Sequence, residues 1–252
     1  MSWLRKGDDS LPRSSPCEAA PLCAPGEMGL TPRLGEAIHN RKKGLAVAGI
    51  LLNFRNTIIL SVVLALIMIV AYSQVSPQGT GVVFWQAVFR WMHVVFGILW
   101  IGLLYYFNFV QIRKMPDIPA EQKPAITKYI APEALFWFRW AALFTVLAGI
   151  GIAILRGQQY AEKVFSLGFA GGYGPDDRGY TLMGIGVWLA IIMFLNVWGI
   201  IWPNQKIVLG LKEADADAKA RAGRIATLAS RTNTLLSLPM LTSMAMYQSL
   251  YG

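Results

Sequence analysis

Long apolar runs separated by short polar stretches dominate the chain after its first fifty positions. An α-helix rises about 1.5 Å per residue and the hydrocarbon layer of a bilayer is about 30 Å thick, so a span needs roughly 20 mostly apolar residues. Five stretches approach that requirement: residues 55–73, 84–110, 134–155, 182–203 and 232–251. Thr57 to Ser73 and Trp91 to Val110 are apolar almost throughout, whereas the third stretch carries Arg139 one and a half turns in. The fifth contains Asn233, Ser237 and Pro239, which leaves a short re-entrant or surface helix as its alternative. The pattern predicts an all-α, multi-pass transmembrane helical bundle of about five spans within residues 46–252.

Two polar segments have their own patterns. Lys206 to Arg231 is rich in Ala, Lys and Arg and sets Leu211, Ala214, Ala218, Ala222, Ile225 and Ala229 on one helical face. A cytoplasmic helix over residues 206–231 is expected, lying along the membrane or against a partner. Residues 1–45 lack hydrophobic periodicity and are rich in Pro, Ser and Ala between Ser10 and Gly26, which predicts a flexible cytoplasmic tail. No apolar stretch follows Arg5 and Lys6 closely enough for a signal peptide.

Composition strengthens the membrane reading, with 55% hydrophobic and 15% charged residues against roughly 25% charged in an ordinary soluble domain. Charge then orients the spans, because cytoplasmic loops are enriched in Lys and Arg. Arg33, Arg41, Lys42, Lys43 and Arg55 precede the first span, and the connection to the second is uncharged. The next holds Arg113, Lys114, Lys123 and Lys128; the one after sets Arg156, Lys163 and Arg178 against Glu162, Asp176 and Asp177. The last holds six basic residues from Lys206 to Arg231. This alternation places the N-terminus in the cytoplasm and the C-terminus outside. The net charge of +9 then suits an anionic cytoplasmic leaflet, and no basic run is interleaved with aromatics as nucleic-acid binding would require.

Few side chains remain for chemistry. All 14 Asp and Glu fall in tails, loops or helix ends, which argues against a membrane-embedded carboxylate relay. Cys17 and Cys23 match neither CxxC nor CxxCH spacing and read as reduced thiols. Gly171, Gly172 and Gly174, in the Gly- and Tyr-rich loop Phe165 to Tyr180, lack the preceding strand and following Lys of a nucleotide loop. Inside the spans lie Arg90, His93 and Arg139. His93, Gly97 and Trp100 share one helical face, and a lone His beside small residues can ligate haem iron or a chlorophyll magnesium. Equally, Gly lets two helices approach while His93 hydrogen-bonds a neighbour. A bis-His haem would need a second chain; Met92, Met193 and Met240 are the candidate second ligands within this one. Most Trp residues lie near span ends, as an interfacial belt would place them, whereas Trp100 and Trp188 lie deeper.

Three segments between Phe84 and Met246 carry a family resemblance: FRWMHVVFGILWIGLLYYFNFVQ, EALFWFRWAALFTVLAG and RTNTLLSLPMLTSMAM. In that order they resemble the membrane domain of the bacterial membrane-bound urate oxidase (urate hydroxylase) family. The resemblance implies a multi-pass protein of the bacterial inner membrane, associated with electron transfer from urate to a cytochrome c. The family's C-terminal cytochrome c domain, with its CxxCH, has no counterpart here, so the chain reads as a short form and a separate cytochrome would be needed.

Two function classes stay open. In a redox module, His93 is the metal ligand, Gly97 and Trp100 flank a haem or substrate ring, and Arg90 and Arg139 bind an anion such as urate or a haem propionate. In the alternative, the chain is a non-catalytic accessory subunit of a larger respiratory or photosynthetic membrane complex; a single-His pigment site in a photosynthetic complex is a smaller third option.

Overall fold

The computed structural model describes residues 49–77, 79–170 and 177–251. The expected tail over 1–45, with Cys17, Cys23 and His39, and the loop glycines 171, 172 and 174 lie outside the described residues. Contacts divide the chain into two compact units, Met1–Ala65 and Leu66–Gly252. Helix α1 (Phe54–Val75) crosses that boundary and buries none of its residues.

The second unit is helical, with no strand among the described residues. Helix α2 (Val82–Tyr105) runs into a π-helical turn, Tyr106–Gln111. Short helical pieces at Ile112–Lys114, Met115–Asp117 and Lys123–Ala125 and a second π turn at Ile126–Ile130 lead into α3 (Ala131–Arg156). Gly157, at φ +97°, adopts a backbone that L side chains avoid and turns the chain into α4 (Gln158–Phe165). Then come α5 (Arg178–Leu195), a third π turn (Asn196–Ile201), α6 (Trp202–Val208) and α7 (Ala216–Leu250). Four stretches among the described residues are long and apolar enough to cross a membrane: Phe54–Val75, Val82–Asp117, Lys123–Arg156 and Arg178–Val208.

Helices α2 and α3 pair antiparallel through small residues. The Gln86 amide donates to the Leu155 carbonyl, Phe89 lies against Gly151, His93 meets Thr145 and Gly149, and Phe107 packs edge-on against Phe138. As positions on α2 rise, their partners on α3 fall. A Cβ on Gly151 would collide with the Phe89 ring, so this glycine sets the approach of the two backbones.

The expected helix over 206–231 and the fifth apolar stretch are joined differently from the expectation. The chain turns after Val208, Asp215 caps a new helix by accepting from the Ala218 amide, and α7 then runs unbroken for 35 residues. Ala222, Ala226 and Ala229 form its buried face there, whereas Leu211 and Ile225 are exposed. Pro239 lies inside the helix without ending it.

The second half of α7 inverts ordinary amphipathicity. Ser230, Asn233, Ser237, Met240, Ser243 and Tyr247 are buried at helical spacing, whereas Leu235, Leu238 and Leu241 face outward. Each buried polar group reaches a different neighbour. The Asn108 amide donates to Ser230 Oγ at 2.8 Å, and the Asn196 amide to Asn233 Oδ1 at 2.9 Å. Asn233 itself donates to the Met193 carbonyl at 2.9 Å. Tyr105 and Ser237 share a hydrogen bond of 3.0 Å, and Ser243 donates to the Leu182 carbonyl. Trp100, Leu104, Phe138, Met193, Val197 and Met240 form the apolar core beside this polar row.

Replacing Asn233 by Ala should cost about 1–2 kcal/mol, since interhelical hydrogen bonds in membranes average about 0.6 and reach about 1.7 kcal/mol. Gly151→Ala should cost about 1–3 kcal/mol through overpacking against Phe89. Unfolding curves of the purified variants in mixed micelles check both values.

Candidate functional site

His93 sits at the start of the fourth turn of α2, half-buried against α3. Its Nδ1 lies 2.8 Å from the backbone carbonyl of Thr145. A carbonyl oxygen only accepts, so Nδ1 carries the proton and donates. In the neutral ring this leaves the Nε2 lone pair uncommitted, and no hydrogen bond engages Nε2 among the described residues. The ring is seated by Gly149, where an added Cβ would lie 3.2 Å from both Cε1 and Nδ1 of the imidazole.

Gly97, one turn along, faces the same helix, with the Thr145 methyl 3.8 Å from the position its Cβ would take. The space beside this glycine is therefore filled by α3. Trp100, a further turn on, is 1% exposed within the apolar core, and its indole Nε1 has no hydrogen-bond partner among the described residues. His93, Gly97 and Trp100 do share a face, and that face looks onto the body of the bundle.

Arg90 lies one turn before His93 and lines an open groove of about 430 Å³ together with Val83, Gln86, Ala87, Trp91 and Val94. Arg139 is placed elsewhere. Its guanidinium carbon stands 3.3 Å above the Trp202 ring centre, and Lys206 Nζ lies 5.7 Å from the same centre. Phe89, beside Arg90, meets Gly151, which stands about 18 Å along α3 from Arg139 at about 1.5 Å per residue. The two arginines accordingly serve two separate places. Of the three methionines, Met193 and Met240 are buried in the core. Met92 neighbours His93 directly, and adjacent helical residues diverge by about 100°.

Sequence pattern alone missed two polar groupings. One is the row on α7, whose residues look like ordinary interruptions of an apolar run. The other joins Arg156, Tyr160 and Tyr247 at the end of α3. Arg156 Nη1 donates to the Tyr247 hydroxyl at 3.2 Å, and its guanidinium carbon lies 4.8 Å from the Tyr160 ring centre. Burial, followed by the proximity of Tyr247, holds the Tyr160 hydroxyl well above its ordinary pKa, with Arg156 pulling the other way. Tyr160 therefore stays neutral beside the cation where a free tyrosine would begin to ionise. The spacing of Arg156, Tyr160 and Tyr247 carries one available signal, since Arg156 and Tyr160 are four residues apart, but the end of α3 at Gly157 and the sequence distance to Tyr247 conceal the rest.

Four helical stretches long and apolar enough to cross a bilayer, together with the polar row inside α7 and the Leu side chains outside it, mark a helical membrane protein. Residues 176–251 match the urate oxidase N-terminal family, so this part of the chain is similar to that family. The match takes in α5, α6 and α7 and the segment RTNTLLSLPMLTSMAM; the segments around His93 and Arg139 lie outside it. No curated protein and no solved structure matches the chain.

If Gly149 exists to seat the imidazole, its replacement by Ala should destabilise the protein less when His93 is already Ala. A double-mutant cycle in detergent should return a coupling of about 0.5 kcal/mol or more, as contacting residues do. Additive effects would show that the two sites act independently.

Proposed function

We propose that the chain is a multi-span subunit of a urate-oxidase-like redox assembly in the bacterial inner membrane, in which His93 supplies a single haem ligand and a separate cytochrome accepts the electrons. The observation that carries this reading is the 2.8 Å Nδ1–H hydrogen bond to the Thr145 carbonyl. Metal-ligating histidines typically donate their other ring N–H to a carbonyl or carboxylate, which fixes the tautomer and aims the free nitrogen.

The fit of a haem to these residues is specific about position. The Nε2 lone pair suits an iron ligand, but the flank at Gly97 is occupied by Thr145. Arg90 and the groove it lines would offer a cation for a propionate and an apolar wall, although His93 itself does not line that groove. Met193 and Met240 lie inside the core, so of this chain's candidate ligands only His93 would hold the haem. When bound, the haem supplies one-electron transfer. The protein's own residues orient the imidazole, hold its Nδ1 proton and counter a carboxylate.

The second reading, a non-catalytic accessory subunit, rests on the same contact taken as a helix-to-helix latch, with Gly149 as the recess for the ring. One purification separates the two. The native complex isolated in mild detergent should show a Soret band that His93→Ala reduces by half or more and that added imidazole restores. An unchanged band, or none in the wild type, leaves the latch. Urate-dependent oxygen uptake by membranes, lost on deletion of the gene, is the parallel test of substrate.

The five-span arrangement belongs to this proposal as well. At about 1.5 Å per residue the 35 residues of α7 extend about 52 Å, enough to cross a 30 Å layer and project beyond it. Its outward Leu235 and Leu238 suit lipid, while Asn233 and Ser237 are kept inside. Reporter fusions should place Gly252 outside and Met1 in the cytoplasm; both ends on one side would remove the fifth crossing.

A further inference from the structure

The end of the bundle where α3 stops gathers an unusual set of side chains. Arg156 is the last residue of its apolar stretch and lies between the Tyr160 and Tyr247 rings, 4.8 and 6.0 Å from their centres. A guanidinium has five N–H donors, and the two phenol oxygens beside it engage at most two of them. No carboxylate pairs with Arg156 among the described residues. The nearby Lys163 and Asp177 are committed to one another at 2.7 Å, and Tyr160 remains protonated, so neither neutralises the arginine.

A cation with unused, fork-shaped donors, walled by aromatic rings and lined by phenol groups, is built to hold a tetrahedral oxyanion. Its level is also informative. The residue that ends an apolar stretch stands where the hydrocarbon gives way to headgroups, the zone that Tyr side chains favour. Below it, one turn earlier on the same side of α3, Ile152 and Ala153 continue the apolar surface that an acyl chain covers. Phosphate above and hydrocarbon below are the two halves of one phospholipid.

We propose that Arg156, with the Tyr160 and Tyr247 phenols, forms a binding site for the phosphate group of a membrane phospholipid. The guanidinium takes two phosphate oxygens, the Tyr247 hydroxyl turns to a third, and the acyl chains descend along α3 past Ile152 and Ala153. This site is independent of His93 and would stand whether or not a haem is bound.

Native mass spectrometry of the full chain in mild detergent tests it. Phosphatidylglycerol is titrated in one arm and inorganic phosphate in the other. The wild type should retain the lipid, and Arg156→Gln should weaken retention about tenfold or more, as expected for loss of a charge-assisted hydrogen-bond pair. Tyr247→Phe keeps the ring and the fold and should weaken retention about two- to fivefold; it decides the matter if Arg156→Gln does not purify. Arg178→Gln, an exposed cation just after Asp177, should leave retention unchanged. Equal retention by wild type and Arg156→Gln, or an equal loss in Arg178→Gln, overturns the proposal. So does binding of inorganic phosphate at this site without lipid retention.

Discussion

Asn233 is the side chain around which the bundle closes. It is fully buried, accepts from Asn196 and donates to the Met193 carbonyl, so both ends of its amide are engaged with one neighbouring strand of helix. In hydrocarbon an unsatisfied polar group costs several kcal/mol, which forbids turning this side chain toward lipid. That constraint fixes the rotation of α7 about its own axis. Once it is fixed, Ser230 and Ser237 face α2 and its π turn, Ser243 faces α5, and Tyr247 reaches Arg156 at the end of α3. One helix thereby sets the positions of three others.

The α2–α3 pair obeys a different rule. Here the contact depends on what is missing, since Gly149 and Gly151 lack the Cβ atoms that would strike His93 and Phe89. Close approach brings the imidazole to the Thr145 carbonyl, and that single hydrogen bond decides which nitrogen is left with a lone pair. The geometry at His93 thus follows from backbone proximity.

Much of this was readable in the sequence. Four of the apolar runs fall on helices long and apolar enough to cross a bilayer, whereas the fifth is the second half of a helix that begins at Ala216. Sequence periodicity also put His93, Gly97 and Trp100 on one face. It could not say what that face looks at, and the neighbour turned out to be α3 and the core, with Thr145 in the space beside Gly97. Arg90 and Arg139 seemed a natural pair in a list of intramembrane cations, yet Arg139 lies on Trp202 and Arg90 on an open groove. The fifth stretch looked weak for the reason that makes it important. Averaging over a window merges Asn233 and Ser237 with Leu235 and Leu238, although they occupy opposite sides of the helix.

The family match falls on the part of the chain where this internal polarity lies. Residues 176–251 contain α5, its π turn and α7, and hence Asn196, Asn233, Ser237 and Ser243. A pattern made of polar residues at helical spacing inside an apolar helix is expensive to place and specific in its partners, so it marks an architecture sharply. It marks chemistry less directly, because every one of these groups is occupied in holding helices together. His93, by contrast, has a ring nitrogen left over after its structural contact is made, and it lies outside the matched stretch. The architecture and the candidate chemistry are therefore carried by different helices, α7 for the first and α2 for the second. They meet where Tyr105 and Asn108, at the far end of α2, bond to Ser237 and Ser230. A change on α7 reaches His93 through that connection, the shared apolar core and the α3 contacts, whereas a change at Gly149 acts on the imidazole directly.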